Sequence, residues 1–260
     1  MMDSFVFPAL PDGVPSGRYV TARRSEGRAV LWVTGLRERR AGALWARLYA
    51  LHARTGLYPL LLDALDSSPR AVLQGECRPW HHDDLRFVPV EKIDALDPDD
   101  VLRGMWPDYG DDYPDPREMP SRWPGLAVPS TCDTDPGLAA GNLARRLAGA
   151  SDRLLGLVPA ARGADALSLS GWRGPINHTN FTEEISAVVR SWEQRFGVRV
   201  IKVGWDTLDL SVAAPPANRD HALQVAAEHR AFCPDNFSHA SLESYAAWLV
   251  GRDHWSFWWD

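Results

Sequence analysis

Four short stretches of the chain carry side chains able to do chemistry. The densest is Cys77-Arg78-Pro79-Trp80-His81-His82-Asp83-Asp84, where a thiol, two imidazoles and two carboxylates are the ligand types that zinc and other transition metals take. His81, His82 and Asp84 are the metal-ligand candidates. Adjacent histidines in an extended chain point apart, so the competing reading is a polar surface loop. A second set, His221, His229 and Cys233, is spaced by four or eight residues, one face of a helix. His229 and Cys233 have the i, i+4 spacing of a catalytic nucleophile and its base. Pro234 directly after them, and the tendency of free cysteine to act as a small buried hydrophobe, favour instead a core histidine beside a buried thiol.

The third stretch is Gly171-Trp172-Arg173-Gly174-Pro175-Ile176-Asn177-His178, a Gly/Pro-bounded loop before a helix, where backbone N–H groups and an Arg could hold an anion. Trp172 and Arg173 are its binding candidates. His178 is either a further catalytic candidate or a polar turn residue. The fourth is the closing segment, in which His254, Ser256 and Trp258 alternate with Trp255, Phe257 and Trp259. A strand covered on both faces is the expected case; an exposed aromatic ledge with Trp258 as a binding residue is the rival, because Trp is enriched in binding hot spots. No GxSxG elbow, GxxxxGK[ST] loop, strand-borne GxGxxG or HExxH occurs, so enzymatic activity stays an open question and no cofactor is expected.

These residues need elements to hold them. Arg18–Arg24 and Ala29–Thr34 read as a hairpin turning at Ser25-Glu26-Gly27, because Tyr19, Val20, Val30, Trp32 and Val33 favour a pleated surface. Ala41–Thr55 sets Leu44, Trp45, Leu48 and Leu51 along one helical stripe with Gly56 in the C-terminal capping position, and Leu57–Leu62 follows as a strand. From Ser67 to Gly137 eleven prolines interrupt a polar, acidic stretch, so only one short helix is predicted there, Asp99–Trp106, with Asp97 as cap and Pro98 in its first turn.

Ala139–Leu155 is predicted as a further helix. Phe181, Ile185, Val188, Val189, Trp192 and Phe196 share a helical face, with Asn180 and Glu183 as a capping pair and Gly197 at the end. Val198–Val203 and Leu208–Ala213 are predicted strands, Asn218–Phe232 and Leu242–Val250 helices, and His254–Trp259 a closing strand. The class is therefore α+β, with mixed or antiparallel sheets and flanking helices, and the element order suggests two similar ββαβ-like units. Three stretches follow: 1–66 as an N-terminal α/β unit, 67–164 as a proline-rich acidic connector with short helices, and 165–260 as a C-terminal α+β domain.

The segments HWSFWWD (254–260), AAEHRAFCPDN (226–236), SWEQRFGVRVI (191–201) and DTLDLSVAAPP (206–216) resemble the domain-of-unknown-function 4253 family of bacterial proteins. SGRYVTAR (16–23) and LWARLYALHARTGLYPLLLDAL (44–65) are similar to the amino-terminal region of its longer actinobacterial members. The resemblance implies no activity, so function has to come from the residues.

Composition narrows the classes. The chain has 260 residues, 45% of them hydrophobic, with 12 Trp and 8 Phe, enough for a sizeable core without cross-links. Three widely spaced cysteines, Cys77, Cys132 and Cys233, give neither a disulfide framework nor a paired zinc motif and fit a reducing compartment; with no apolar leader and no membrane-length apolar run, the expected location is cytoplasmic. A net charge of −6 argues against nucleic-acid binding. Residues 91–118 alone hold ten carboxylates against three cations. That concentration suggests a non-catalytic, protein-binding module of the immunity or adaptor type, whose acidic segment, including Asp108, Asp111 and Asp112, meets a basic protein partner. The alternative is a hydrolase or metal-assisted enzyme using His229 and Cys233 or the His81–His82 loop.

Overall fold

The computed structural model describes residues 6–65, 78–107, 122–131, 134–149 and 153–260. Among these, seven strands form one mixed sheet: β1 (Gly17–Thr21), β2 (Ala29–Thr34), β3 (Leu57–Leu62), β4 (Leu154–Pro159), β5 (Arg199–Val203), β6 (Thr207–Ser211) and β7 (His254–Trp258), in the spatial order β1-β2-β4-β3-β5-β6-β7. Every neighbouring pair is antiparallel except β3 and β5, which run parallel through Leu61↔Lys202 and Leu62↔Val203. The class is α+β.

The sheet joins the two ends of the chain. β3 lies between β4 and β5, so a strand from the first quarter of the sequence completes the strand set of the last part. All six residues of β3 are buried, which accounts for a continuous apolar run in place of alternation. Pro59 is tolerated in this central strand because pairing with β5 begins only at Leu61, beyond it. The two predicted ββαβ-like units close differently. β3 stands two places from β2, across β4, whereas β7 lies directly beside β6 and antiparallel to it.

Helices cover both faces. On one, α1 (Ala41–Thr55) and α4 (Pro136–Gly149) bury Trp45, Leu48 and Leu143 against Trp32, Leu57, Leu61, Leu155, Leu157 and Ile201. On the other, α5 (Gly163–Ser170), α6 (Thr182–Phe196), α7 (Arg219–Phe232) and α8 (Leu242–Leu249) bury Leu167, Val188, Trp192, Phe232 and Leu249 against Leu31, Leu60, Val200, Leu210, Trp255 and Phe257. Two short helices, α2 (Val90–Asp94) and α3 (Pro98–Met105), lie across α6 on the outside.

Several elements depart from expectation. The helix predicted to run to Leu155 stops at Gly149, and Leu154 opens β4. Asn180 and Glu183 do not cap α6. Phe181 stands at the N-cap with no side-chain cap, and just before it Thr179 Oγ1 accepts from the Phe181 N–H at 3.1 Å while donating to Glu184 at 2.7 Å. Asp97 caps α3 as predicted, accepting from the N–H groups of Asp99 and Asp100. β7 is an edge strand covered on one face only: Trp255 and Phe257 are buried, whereas Ser256 and Trp258 are exposed.

Candidate functional site

The two residues with the spacing of a catalytic pair are in the core. His229 and Cys233 are both fully buried. The imidazole packs among Trp192, Trp255, Phe257 and Tyr245; its Nδ1 is 3.2 Å from the Tyr245 hydroxyl, and its Nε2 has no partner among the described residues. Burial lowers its pKa to about 3. The Cys233 thiol donates to the Trp258 carbonyl at 3.0 Å instead of meeting the imidazole, and burial pushes its pKa up to about 12. At neutral pH this environment holds a neutral imidazole and a protonated thiol, with neither free to titrate. His178 is turned inward as well, its Nε2 donating to the Ala231 carbonyl at 3.0 Å, with its pKa lowered mainly by burial.

The histidine-rich loop does not gather its ligand candidates. Asp84 is held by Arg78 in a bidentate pair at 2.6 and 2.8 Å, His82 Nδ1 turns to the Thr21 hydroxyl at 2.8 Å, and His81 faces Asp83. Among the described residues no group of three or more His, Cys, Asp or Glu is placed to hold a metal ion. Cys77 lies outside the described residues, as do Cys132, Asp108, Asp111 and Asp112.

What the fold brings together is the loop 78–89, the loop 171–182 and the turn of the β1–β2 hairpin. The Arg23 N–H donates to the Leu85 carbonyl, the Phe87 N–H to the Arg23 carbonyl and the Arg86 N–H to the Gly171 carbonyl, at 2.7–3.0 Å. Gly171 permits this closeness: it is left-handed (φ 80°), and a Cβ there would stand 2.7 Å from the Arg86 nitrogen.

Two clefts result, sharing Arg173. One, of about 350 Å³, includes Arg78, Asp84, Asn177, Trp205, Asp206 and Asp260, at the carboxyl end of the parallel pair β3–β5. Its polar groups largely satisfy one another: Arg78 pairs with Asp84 and stacks over Trp205, Asn177 donates to the Asp260 carbonyl, and Trp258 donates to Asp206. Trp172 is core to this region, fully buried with its indole N–H donating to the Gly204 carbonyl. Trp258 is 44% exposed.

The other cleft, of about 390 Å³, is lined by Arg24, Arg28, Arg86, Lys92 and Arg173, with Glu26 and Glu183 as its carboxylates. Arg28 has partners, the Ser25 carbonyl, Glu26 and the Phe87 ring among them. The side chains of Arg24, Arg86, Lys92 and Arg173 form no ion pair or hydrogen bond among the described residues. They line one cleft beside the first turn of α6, whose positive end favours anions. In the hairpin turn, Arg24 (φ 66°) and Glu26 (φ 55°) are left-handed without being glycine, a strain that concentrates at binding sites.

A separate set of charges is self-contained. Lys202 lies 3.1 Å from Asp63 and 2.9 Å from Asp209; Arg153 also pairs with Asp63, and His254 Nε2 is 2.7 Å from Asp209. Burial alone would lower the Lys202 pKa, but the two carboxylates raise it more; burial of Asp209 is likewise outweighed by His254 and Lys202, so its pKa falls. Sequence patterning did not single out this ladder, and of the cationic cleft it named only Arg173, as an anion-binding candidate, because the members come from different elements and share no spacing.

The motifs of the last part thus map onto β5, β6, α7 and β7 of the common sheet. Residues 154–260 match the family model described as Domain of unknown function (DUF4253). The DUF4253 match begins at β4 and takes in all four motifs that carried the resemblance. Of the cationic cleft it includes Arg173 and Glu183, whereas Arg24, Arg28, Arg86 and Lys92 precede it. Comparison with curated proteins and with solved structures gives no match. Among the described residues no helix is long and apolar enough to cross a membrane.

Proposed function

We propose that the protein is a non-catalytic binding module that recognises an anionic group in the cleft between the β1–β2 turn, the loop 86–92 and Arg173. The observation that carries this reading is the set of four cations without partners among the described residues, in one concave site of a chain whose net charge is −6. Guanidinium groups suit the role because their fork of N–H donors matches carboxylate and phosphate oxygens. A cleft of this size suits a discrete anion, not the extended basic stripe that tracks a nucleic-acid backbone. A reducing, cytoplasmic setting accords with the free, buried Cys233.

Binding to a basic partner through the acidic segment has less support. Asp108, Asp111 and Asp112 lie outside the described residues, and neighbouring acids have internal duties: Asp97 caps α3, Asp99 and Asp100 pair with Arg103, and Asp94 pairs with Arg190. The hydrolase alternative suffers from the burial of His229 and Cys233.

Calorimetric titration with inorganic phosphate tests the reading. Wild-type protein is expected to bind, more weakly as salt rises, and the double variant Arg86→Ala/Arg173→Ala to lose at least tenfold in affinity with its melting temperature held or raised, since removing like charges relieves repulsion. Absence of any phosphate binding to folded wild type at low salt would sink the proposal.

A further inference from the structure

The cationic cleft does not end at its charges. Arg28 and Phe87 also line a second, smaller cavity of about 80 Å³, completed by Ser25, Ala29, Val30, Pro159 and Leu169. Its wall is apolar apart from Ser25 and Arg28. The Ser25 hydroxyl is committed, donating to the Arg28 carbonyl at 2.8 Å, and the Arg28 guanidinium bridges the two cavities with its Cζ 5.6 Å from the Phe87 ring centroid. An apolar slot beside a cationic basin matches a ligand that is apolar at one end and multiply anionic at the other.

Resting on the reading of the cleft as an anion site, we infer that the ligand is an organic phosphate carrying a short aliphatic chain or a single ring, with the phosphate among Arg24, Arg86, Lys92 and Arg173 and the apolar group between Phe87 and Leu169. Phosphate fits better than a single carboxylate. The cleft has three more cations than carboxylates, and a phosphate monoester near neutral pH brings about two negative charges together with three acceptor oxygens. The apolar group would displace water from a wall that cannot hydrogen-bond to it, a gain of roughly fourfold in affinity per buried methylene.

Titration of the folded chain with inorganic phosphate, methyl phosphate, butyl phosphate and hexyl phosphate decides the matter. Affinity is expected to rise along the series and level off once the slot is full, with butyl phosphate binding at least tenfold more tightly than inorganic phosphate. Ala29→Phe, which fills the slot, should remove the advantage of the longer chains while leaving inorganic phosphate binding intact. If all four probes bind alike, the apolar slot plays no part and this inference fails, while the anion reading survives. If neither inorganic phosphate nor hexyl phosphate binds, the anion reading itself fails and takes this one with it. Hexyl phosphate binding that is unaffected by Arg86→Ala/Arg173→Ala would be adsorption elsewhere and equally overturns the inference.

Discussion

Glu228 shows how much one side chain can organise here. It is fully buried on α7 and accepts from Arg195 at 2.6 and 2.7 Å, from the Trp192 indole at 2.7 Å and from the Ala127 N–H at 2.7 Å. Removing it takes the carboxylate from a partly buried guanidinium and leaves the Trp192 indole N–H and the Ala127 N–H without their acceptor, so Glu228→Ala is expected to lower the unfolding free energy by about 3 kcal/mol in urea denaturation followed by tryptophan fluorescence. Its neighbour His229 gives a pH prediction. With its folded pKa lowered from 6.5 to about 3, the unfolded chain binds a proton more readily; stability is fully present above pH 6.5 and declines as pH falls from there towards 3. His229→Phe should remove that component, leaving a shallower acid limb in thermal denaturation at stepped pH. Arg24→Gly should keep or raise the melting temperature, because glycine takes the left-handed conformation without strain, and should weaken phosphate binding by removing a cation.

Elements differ in how visible they are from sequence, for physical reasons. α6 shows its apolar stripe because one side packs and the other meets water, so its 3.6-residue period identifies it to within a residue or two. α5 was not anticipated: Ala164, Asp165, Ala166, Leu167 and Ser168 are all buried, and a helix enclosed all round has no amphipathic period to detect. β4 was missed because it is buried over Leu154–Val158 and so shows no alternation, and its first two residues, Leu154 and Leu155, read as the tail of the preceding helix. The packing of α1 on α4 is close enough to test. A Cβ on Gly42 would lie 2.5 Å from the Ala144 carbonyl oxygen and 2.7 Å from the Arg145 Cα. Because those are backbone atoms, Gly42→Ala should force the helices apart and cost about 1–3 kcal/mol by chemical denaturation; an unchanged midpoint would show that the contact yields freely.

At the scale of the whole molecule, the insertion of β3 between β4 and β5 makes the DUF4253 segment depend on the residues before it. A fragment of residues 154–260 would expose the β4 and β5 edges and lose the buried Leu57–Leu62 layer. Such a fragment is expected to give no cooperative unfolding transition in calorimetry, in contrast to the full chain; a sharp transition from the fragment would mean that β4 and β5 can close on each other.

By itself, the sequence determined most elements and the α+β class, because these follow from periodicity, caps and breakers acting over a few neighbours. It also supplied the family match of the last part through contiguous motifs. Only the tertiary structure decided that β3 crosses into the last part, that His229 and Cys233 face the core instead of a cleft, and that Arg24, Arg86, Lys92 and Arg173 meet. Strand order and side-chain convergence depend on contacts between residues far apart in the chain, and no local pattern encodes which distant cations will end up sharing one cavity.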